Sequence, residues 1–143
     1  MNEGGAGDRR VRVGCGAAIV SEGRILLVKR RHPPEAQAWS LPGGKVDFLK
    51  RVEDAIRRET MEETGLAIRL LRLLQLTQMV GQDGQHWLSP VRLAEVESGE
   101  AHNLEPDKAD AVGWFPLRNP PAPLAQAARE SIAELTDRLA PLD

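Results

Sequence analysis

The segment Arg57–Gly65 reads RRETMEETG, and it closes a stretch whose periodicity predicts one helix from about Arg51 to Thr64, with Gly65 as its left-handed stop. Val52, Ala55 and Ile56 keep the three-and-four spacing of a buried stripe. At roughly 100° per residue, Glu59, Glu62 and Glu63 share an arc of about 100°, and that arc overlaps the apolar one. A cluster of glutamates on a helix is most often a solvated face, because glutamate is rarely buried. Here the overlap argues against that explanation.

Three carboxylates turned toward the protein repel one another and lose hydration unless a cation compensates them. The sequence has no run of lysines to serve as that partner. A hard divalent ion with a preference for oxygen, Mg²⁺ or Mn²⁺, fits best. Such ions keep positions open for phosphate oxygens, polarise the phosphoryl group and lower the pKa of a bound water. The chemistry implied is hydrolysis of a pyrophosphate linkage.

The rest of the chain reads as alternating short strands and turns. Val11–Val20 predicts a buried strand, and Arg24–Lys29 returns across a turn at Glu22-Gly23. Arg30–Ala38 is a polar loop broken by Pro33-Pro34, Trp39–Leu41 is short and extended, and Pro42-Gly43-Gly44 predicts a turn. Lys45–Asp47 is a candidate short strand. Ala67–Val80 has the apolar content of a helix, but its place just after a glycine stop favours a long strand. Gly81–Gly84 predicts a hairpin turn into a strand at His86–Val96, Ser98–Ala111 a polar loop, and Val112–Phe115 a last strand. Beyond a Pro-rich connector at Asn119–Pro123, Leu124, Ala128, Ile132, Leu135 and Leu139 predict a tail helix. The order implies an α/β layered domain with a mixed sheet flanked by helices.

At 143 residues the expectation is one domain over 11–143, with 1–10 as a loose Gly-rich tail. A net charge of −2 and aromatics at 3% argue against nucleic acid as a partner. No apolar run reaches the roughly 20 residues of a membrane span. The single cysteine, Cys15, rules out an intrachain disulfide framework and fits a reducing, cytoplasmic setting. It reads as a small core residue.

From Gly44 to Leu66 the chain resembles the box of the Nudix family, G-x5-E-x7-R-E-U-x-E-E-x-G-U with U aliphatic. Gly44, Arg58, Glu59, Glu62, Glu63, Gly65 and Leu66 match at the required spacing. Trp39–Gly43 resembles the usual lead-in, and Glu105–Lys108 and Gly113–Phe115 resemble later segments of small MutT-like members. The resemblance implies a Nudix-type α/β/α sandwich, with the box helix and a C-terminal helix packed on a mixed central sheet. It implies that Glu59, Glu62 and Glu63 bind the metal, that Glu59 orients or deprotonates the attacking water, and that the Gly43 carbonyl is a further ligand. Arg58 then organises the box. Glu105 is the candidate extra acid from a later loop, with Asp107 behind it.

Lys50 stands where the box calls for a glutamate that usually pairs with the arginine matched by Arg58. Lysine cannot accept that hydrogen bond and adds a like charge. Asp54, one turn from both, is the expected compensation, and weakened rather than absent catalysis the expected result. Thr60 at an aliphatic position is a milder departure. The substrate is expected to be a small nucleotide, with a homodimer left open. A MutT-like nucleoside triphosphate pyrophosphohydrolase stands ahead of an ADP-ribose or other nucleoside-diphosphate-sugar pyrophosphatase, and a nucleotide-binding module without turnover is the remaining alternative. Two subfamily marks are missing: the region about sixteen residues past the box is Gly81-Gln82 rather than proline, and the chain has no tyrosine. Trp39, His86 and Trp87 are candidate lining of a base pocket.

Overall fold

Small residues alternate along the first strand, and both faces of that strand are buried. Cys15, Ala17 and Ile19 enter one apolar cluster with Ala55, Ile56, Leu66 and Ile68. Ala18 enters another with Leu41, Leu74, Val91, Ala128, Ile132 and Leu135. A strand packed on both faces needs a helix layer on each, which gives an α/β/α sandwich.

The structure, a computed structural model, describes residues 9–139. Residues 1–8 of the expected tail and the side chain of Leu139 lie outside that description, while Arg9 and Arg10 are exposed. The elements are β1 (Arg12–Ser21), β2 (Arg24–Arg30), β3 (Trp39–Ser40), β4 (Gly43–Lys45), α1 (Val52–Thr64), β5 (Ala67–Val80), β6 (His86–Ser98), β7 (Ala109–Pro116) and α2 (Gln126–Leu139). The strands run β3-β2-β1-β6-β5, with β4 on β1 and β7 on β2. The sheet is mixed: β1 and β6 are parallel, while β1–β4, β5–β6 and β2–β7 are antiparallel.

Helix α1 ends at Gly65, whose φ of 82° is left-handed and whose N–H donates to the Met61 carbonyl at 2.9 Å. Glu53 and Asp54 stand in its first turn, where the helix dipole favours negative charge. Ala67–Val80 is a strand along its whole length, so the glycine stop outweighed the apolar content.

Three expectations are corrected. Pro42-Gly43-Gly44 is not a free turn, because Gly43 and Gly44 are themselves strand residues that pair with Gly16 and Cys15. At Gly43 an added Cβ would stand 2.1 Å from the Cys15 carbonyl oxygen, so glycine serves closeness there rather than turning. The last strand begins at Ala109 rather than Val112, since a bulge at Lys29/Arg30 lets β2 extend its pairing to Ala109. Helix α2 begins at Gln126 rather than Leu124, which instead bridges to Trp39. The expected hairpin turn between β5 and β6 is present, and takes a 3₁₀ form at Gln82–Gly84 with left-handed Asp83 and Gly84.

Thr60 is fully buried and its Oγ1 has no hydrogen-bond partner, whereas Thr64 Oγ1 donates to the Thr60 carbonyl at 2.7 Å. An unsatisfied buried hydroxyl costs about 1–3 kcal/mol, and valine has the same shape without it. Thr60→Val is therefore expected to raise the midpoint of thermal unfolding by roughly 2–5 °C. A lower midpoint would mean that the hydroxyl is satisfied.

Candidate active site

The last two turns of α1 lie against β4, and the two glycines of that strand shape the contact. A Cβ at Gly44 would stand 2.8 Å from Glu59 Cδ, so the missing side chain is the space the Glu59 carboxylate uses. The Gly43 N–H donates to Glu63 Oε1 at 3.3 Å. Two α1 carbonyls beyond the reach of its own ladder are capped from the segment that follows β6: His102 N–H donates to Thr64 O at 2.9 Å and Leu104 N–H to Glu63 O at 3.1 Å. That capping holds the next residue, Glu105, beside the helix end.

Glu59, Glu63 and Glu105 thereby line one cavity of about 440 Å³, together with Gly43, Gly44 and the cationic side chains Arg30, Lys45 and Lys108. Burial is the main cause that pushes the Glu63 carboxyl up to about 8; Glu59 and Glu105 raise it further, and the Gly43 N–H pulls the other way. Glu59 is also raised, first by burial, with Arg58 opposing and the Glu62 and Glu105 charges adding. Glu105 Oε1 is buried without a hydrogen-bond partner, and its Oε2 lies 3.7 Å from Lys108 Nζ. Desolvated, mutually repelling carboxylates with an orphaned oxygen are a donor set that fits a hard divalent cation. Even so, no three His, Cys, Asp or Glu side chains among the described residues are gathered tightly enough to hold a metal together.

Other candidates from the sequence fall in several places. Glu62 is exposed and outside the cavity lining, though close enough to Glu59 to raise its pKa. Asp107 is exposed, and it is its carbonyl that meets His32 Nε2, at 2.8 Å. Arg58 Nη2 lies 3.5 Å from Glu59 and 3.8 Å from Asp47. Asp54, the compensation expected for Lys50, pairs instead with Arg57 at 3.5 Å, because Asp47 rather than Asp54 reaches Arg58 from the β4–α1 loop. Lys50 itself is exposed.

A second cavity of about 240 Å³ adjoins the first and shares Arg30, Ser40, Leu41, Gly43, Gly44 and Lys45 with it. Trp87 lines it; Trp39 and His86 do not. Trp39 packs edge-on against Phe115 with centroids 4.7 Å apart, a core contact. The sequence reading missed Gly14, Thr77, Met79, Ser89 and Gln126, which also line this cavity. The alternation of β5 and β6 carries the signal, since Thr77 pairs with Ser89 and Met79 with Trp87 on one face.

The NUDIX domain family matches residues 8–135. The chain belongs to the Nudix family. It is similar to a MutT NUDIX hydrolase from Burkholderia pseudomallei of known crystal structure, at 49% identity and a TM-score of 0.82, covering 89% of this chain and 99% of that one. It is 36% identical over 104 residues to an ADP-ribose pyrophosphatase of Methanocaldococcus jannaschii, spanning 72% of this chain and 60% of that protein. It is 29% identical over 103 residues to an oxidized purine nucleoside triphosphate hydrolase of Danio rerio, spanning 69% of this chain and 62% of that protein. The match thus covers about 60% of the length of these curated relatives. Among the described residues no helix is long and apolar enough to cross a membrane.

The electrostatics of Glu63 have a consequence for stability. Its folded pKa lies above the unfolded one, so its contribution is fully present below about pH 4.5 and is lost as pH rises through about 8. In chelator, the thermal midpoint is expected to fall across that window. Glu63→Gln should flatten the fall and raise the midpoint at pH 8 by roughly 5 °C. A wild-type pH profile in Glu63→Gln would remove Glu63 as the cause.

Proposed function

We propose that this Nudix protein hydrolyses a pyrophosphate linkage of a nucleotide with Mg²⁺ or Mn²⁺, and that a nucleoside triphosphate is cleaved to the monophosphate and pyrophosphate. The observation that carries the reading is that the two cavities adjoin across six shared residues, one rich in carboxylates and cations, the other framed by strand glycines, Met79 and Trp87. A nucleotide has that same division into a charged and a flat half. Likeness to the oxidized purine nucleoside triphosphate hydrolase of Danio rerio supports the triphosphate.

Glu59 and Glu63, with the Gly43 carbonyl, would hold the ion, and Glu62, exposed outside the cavity, would add negative charge beside Glu59. When bound, it polarises the phosphoryl group and lowers the pKa of its water. Water attacks one phosphorus of the linkage, its bond to the bridging oxygen breaks, and the bridging oxygen leaves with the other phosphoryl group. Glu105 Oε1, with no protein partner to satisfy it, takes the proton of the attacking water. Arg30, Lys45 and Lys108 offset the phosphate charge. Arg58 acts through its contact with Glu59, and its pairing with Asp47 takes the place of the box glutamate that Lys50 replaces. Turnover is therefore retained, which argues against a module that only binds.

A second reading, cleavage of ADP-ribose or another nucleoside-diphosphate sugar, is favoured by the likeness to the Methanocaldococcus enzyme. A screen of nucleotides with Mg²⁺ or Mn²⁺ in ¹⁸O-water, with products identified, separates the two. The expected products are monophosphate and pyrophosphate, with the label on one phosphorus of the cleaved linkage. Inorganic phosphate as sole product would contradict the assignment. Glu105→Gln is expected to lower kcat by on the order of 10²-fold with a smaller change in KM; an unaltered kcat would return Glu105 to a loop residue.

A further inference from the structure

The segment that carries Glu105 is held from two sides. Upstream, the His102 and Leu104 N–H groups fasten it to the end of α1. Downstream, three successive carbonyls meet the loop between β2 and β3. Arg31 Nη1 donates to the Pro106 carbonyl at 2.8 Å, His32 Nε2 meets the Asp107 carbonyl at 2.8 Å, and the Arg31 N–H donates to the Lys108 carbonyl at 3.1 Å. A carbonyl oxygen only accepts, so His32 carries a proton on Nε2. Arg31 Nε also lies 3.6 Å from Asp110 Oδ1, and Gln37 Nε2 donates to Asp110 Oδ2 at 3.3 Å. The β2–β3 loop is braced in turn by Arg30, whose Nε donates to the Pro34 carbonyl at 2.6 Å.

The turn held in this way is the one that sets Glu105. The Glu105 carbonyl accepts from the Lys108 N–H at 2.9 Å and from the Ala109 N–H at 3.0 Å. Lys108 therefore faces both ways, its N–H toward Glu105 and its carbonyl toward Arg31. Pro106 has no N–H to give, so its carbonyl is its one backbone anchor. For a base, position is most of its worth, since a misplacement of 1 Å costs on the order of 10²-fold in rate.

We infer that Arg31 and His32 are positioning residues for Glu105: their side chains, on the Pro106 and Asp107 carbonyls, hold the Glu105 carboxylate in the first cavity for the attacking water. The inference rests on the reading of Glu105 as the base. His32 also lines that cavity, so a direct contact with substrate is the alternative to be separated. A residue that works through Glu105 loses its effect when Glu105 is gone; a residue that touches substrate does not.

A double-mutant cycle on Mg²⁺-dependent turnover of the nucleotide cleaved fastest tests the idea, with unfolding midpoints measured to confirm that each variant is folded. Arg31→Met and His32→Ala should each lower kcat about tenfold, with KM changed less than about twofold. His32→Gln keeps a donor near the place of Nε2 and should recover most of the loss. With Glu105→Gln already present, either substitution should cost less than about twofold more. In the protein without metal, exchange of the Lys108 and Ala109 amide hydrogens should quicken at least about fivefold in the double variant Arg31→Met/His32→Ala. If Glu105→Gln leaves kcat unaltered, the reading of the base falls and the inference with it. If Glu105→Gln lowers kcat while the other two substitutions do not, or while their losses persist in its background, Glu105 keeps its role and the inference is wrong. Unchanged amide exchange, or a His32→Ala effect confined to KM, overturns it too.

Discussion

The approach of α1 to β4 is the contact on which the rest of the structure depends. Backbone of β4 meets backbone of β1 closely enough that Gly43 tolerates no side chain, and the Glu59 carboxylate occupies the space a Gly44 side chain would need. The helix can bury Ala55 and Ile56 in its first half only because the same face is allowed to carry acids in its second. Capping of the helix end by the His102 and Leu104 N–H groups then delivers Glu105 to the same cavity. Packing, capping and charge placement are one arrangement, and its cost is the raised pKa of Glu59 and Glu63. A cation returns that cost as binding energy.

The two helices were legible because each has a period: the α1 stripe and the tail helix reveal themselves at 3.6 residues per repeat. Ala67–Val80 was legible as a strand from its place just after the glycine stop. Contacts between distant segments have no period. Glycine after proline reads as a turn on local grounds, and only the proximity of Cys15 and Glu59 shows that here it means thinness in a strand. Likewise the partner of Arg58 was sought one helical turn away at Asp54, the neighbour a helix provides, whereas the loop brings Asp47.

The candidate site divides the same way. The glutamates of α1 announce themselves by sharing an arc with apolar residues, and Glu105 by its likeness to a family segment. Which of them face the cavity is a matter of geometry: Glu59, Glu63 and Glu105 do, and Glu62 does not. The second cavity was nearly silent. Gln126 sits on an amphipathic helix, where polar residues read as solvated surface, and Thr77 and Ser89 become neighbours only through the β5–β6 register. Tryptophans were the natural guess for a base pocket. Trp87 lines the second cavity, while Trp39 is spent on Phe115.

The desolvated carboxylates at the end of α1 call for a divalent cation to compensate them. Glu63, with a carboxyl pushed up to about 8, holds its proton in most molecules at pH 7, and a cation must displace it to gain the carboxylate. Calorimetric titration with Mn²⁺ at pH 7, repeated in buffers of different ionisation enthalpy, counts the protons that leave. About one proton should be released per ion bound, and none in Glu63→Gln. Binding with no proton release in the wild type, or the same release without Glu63, would contradict it.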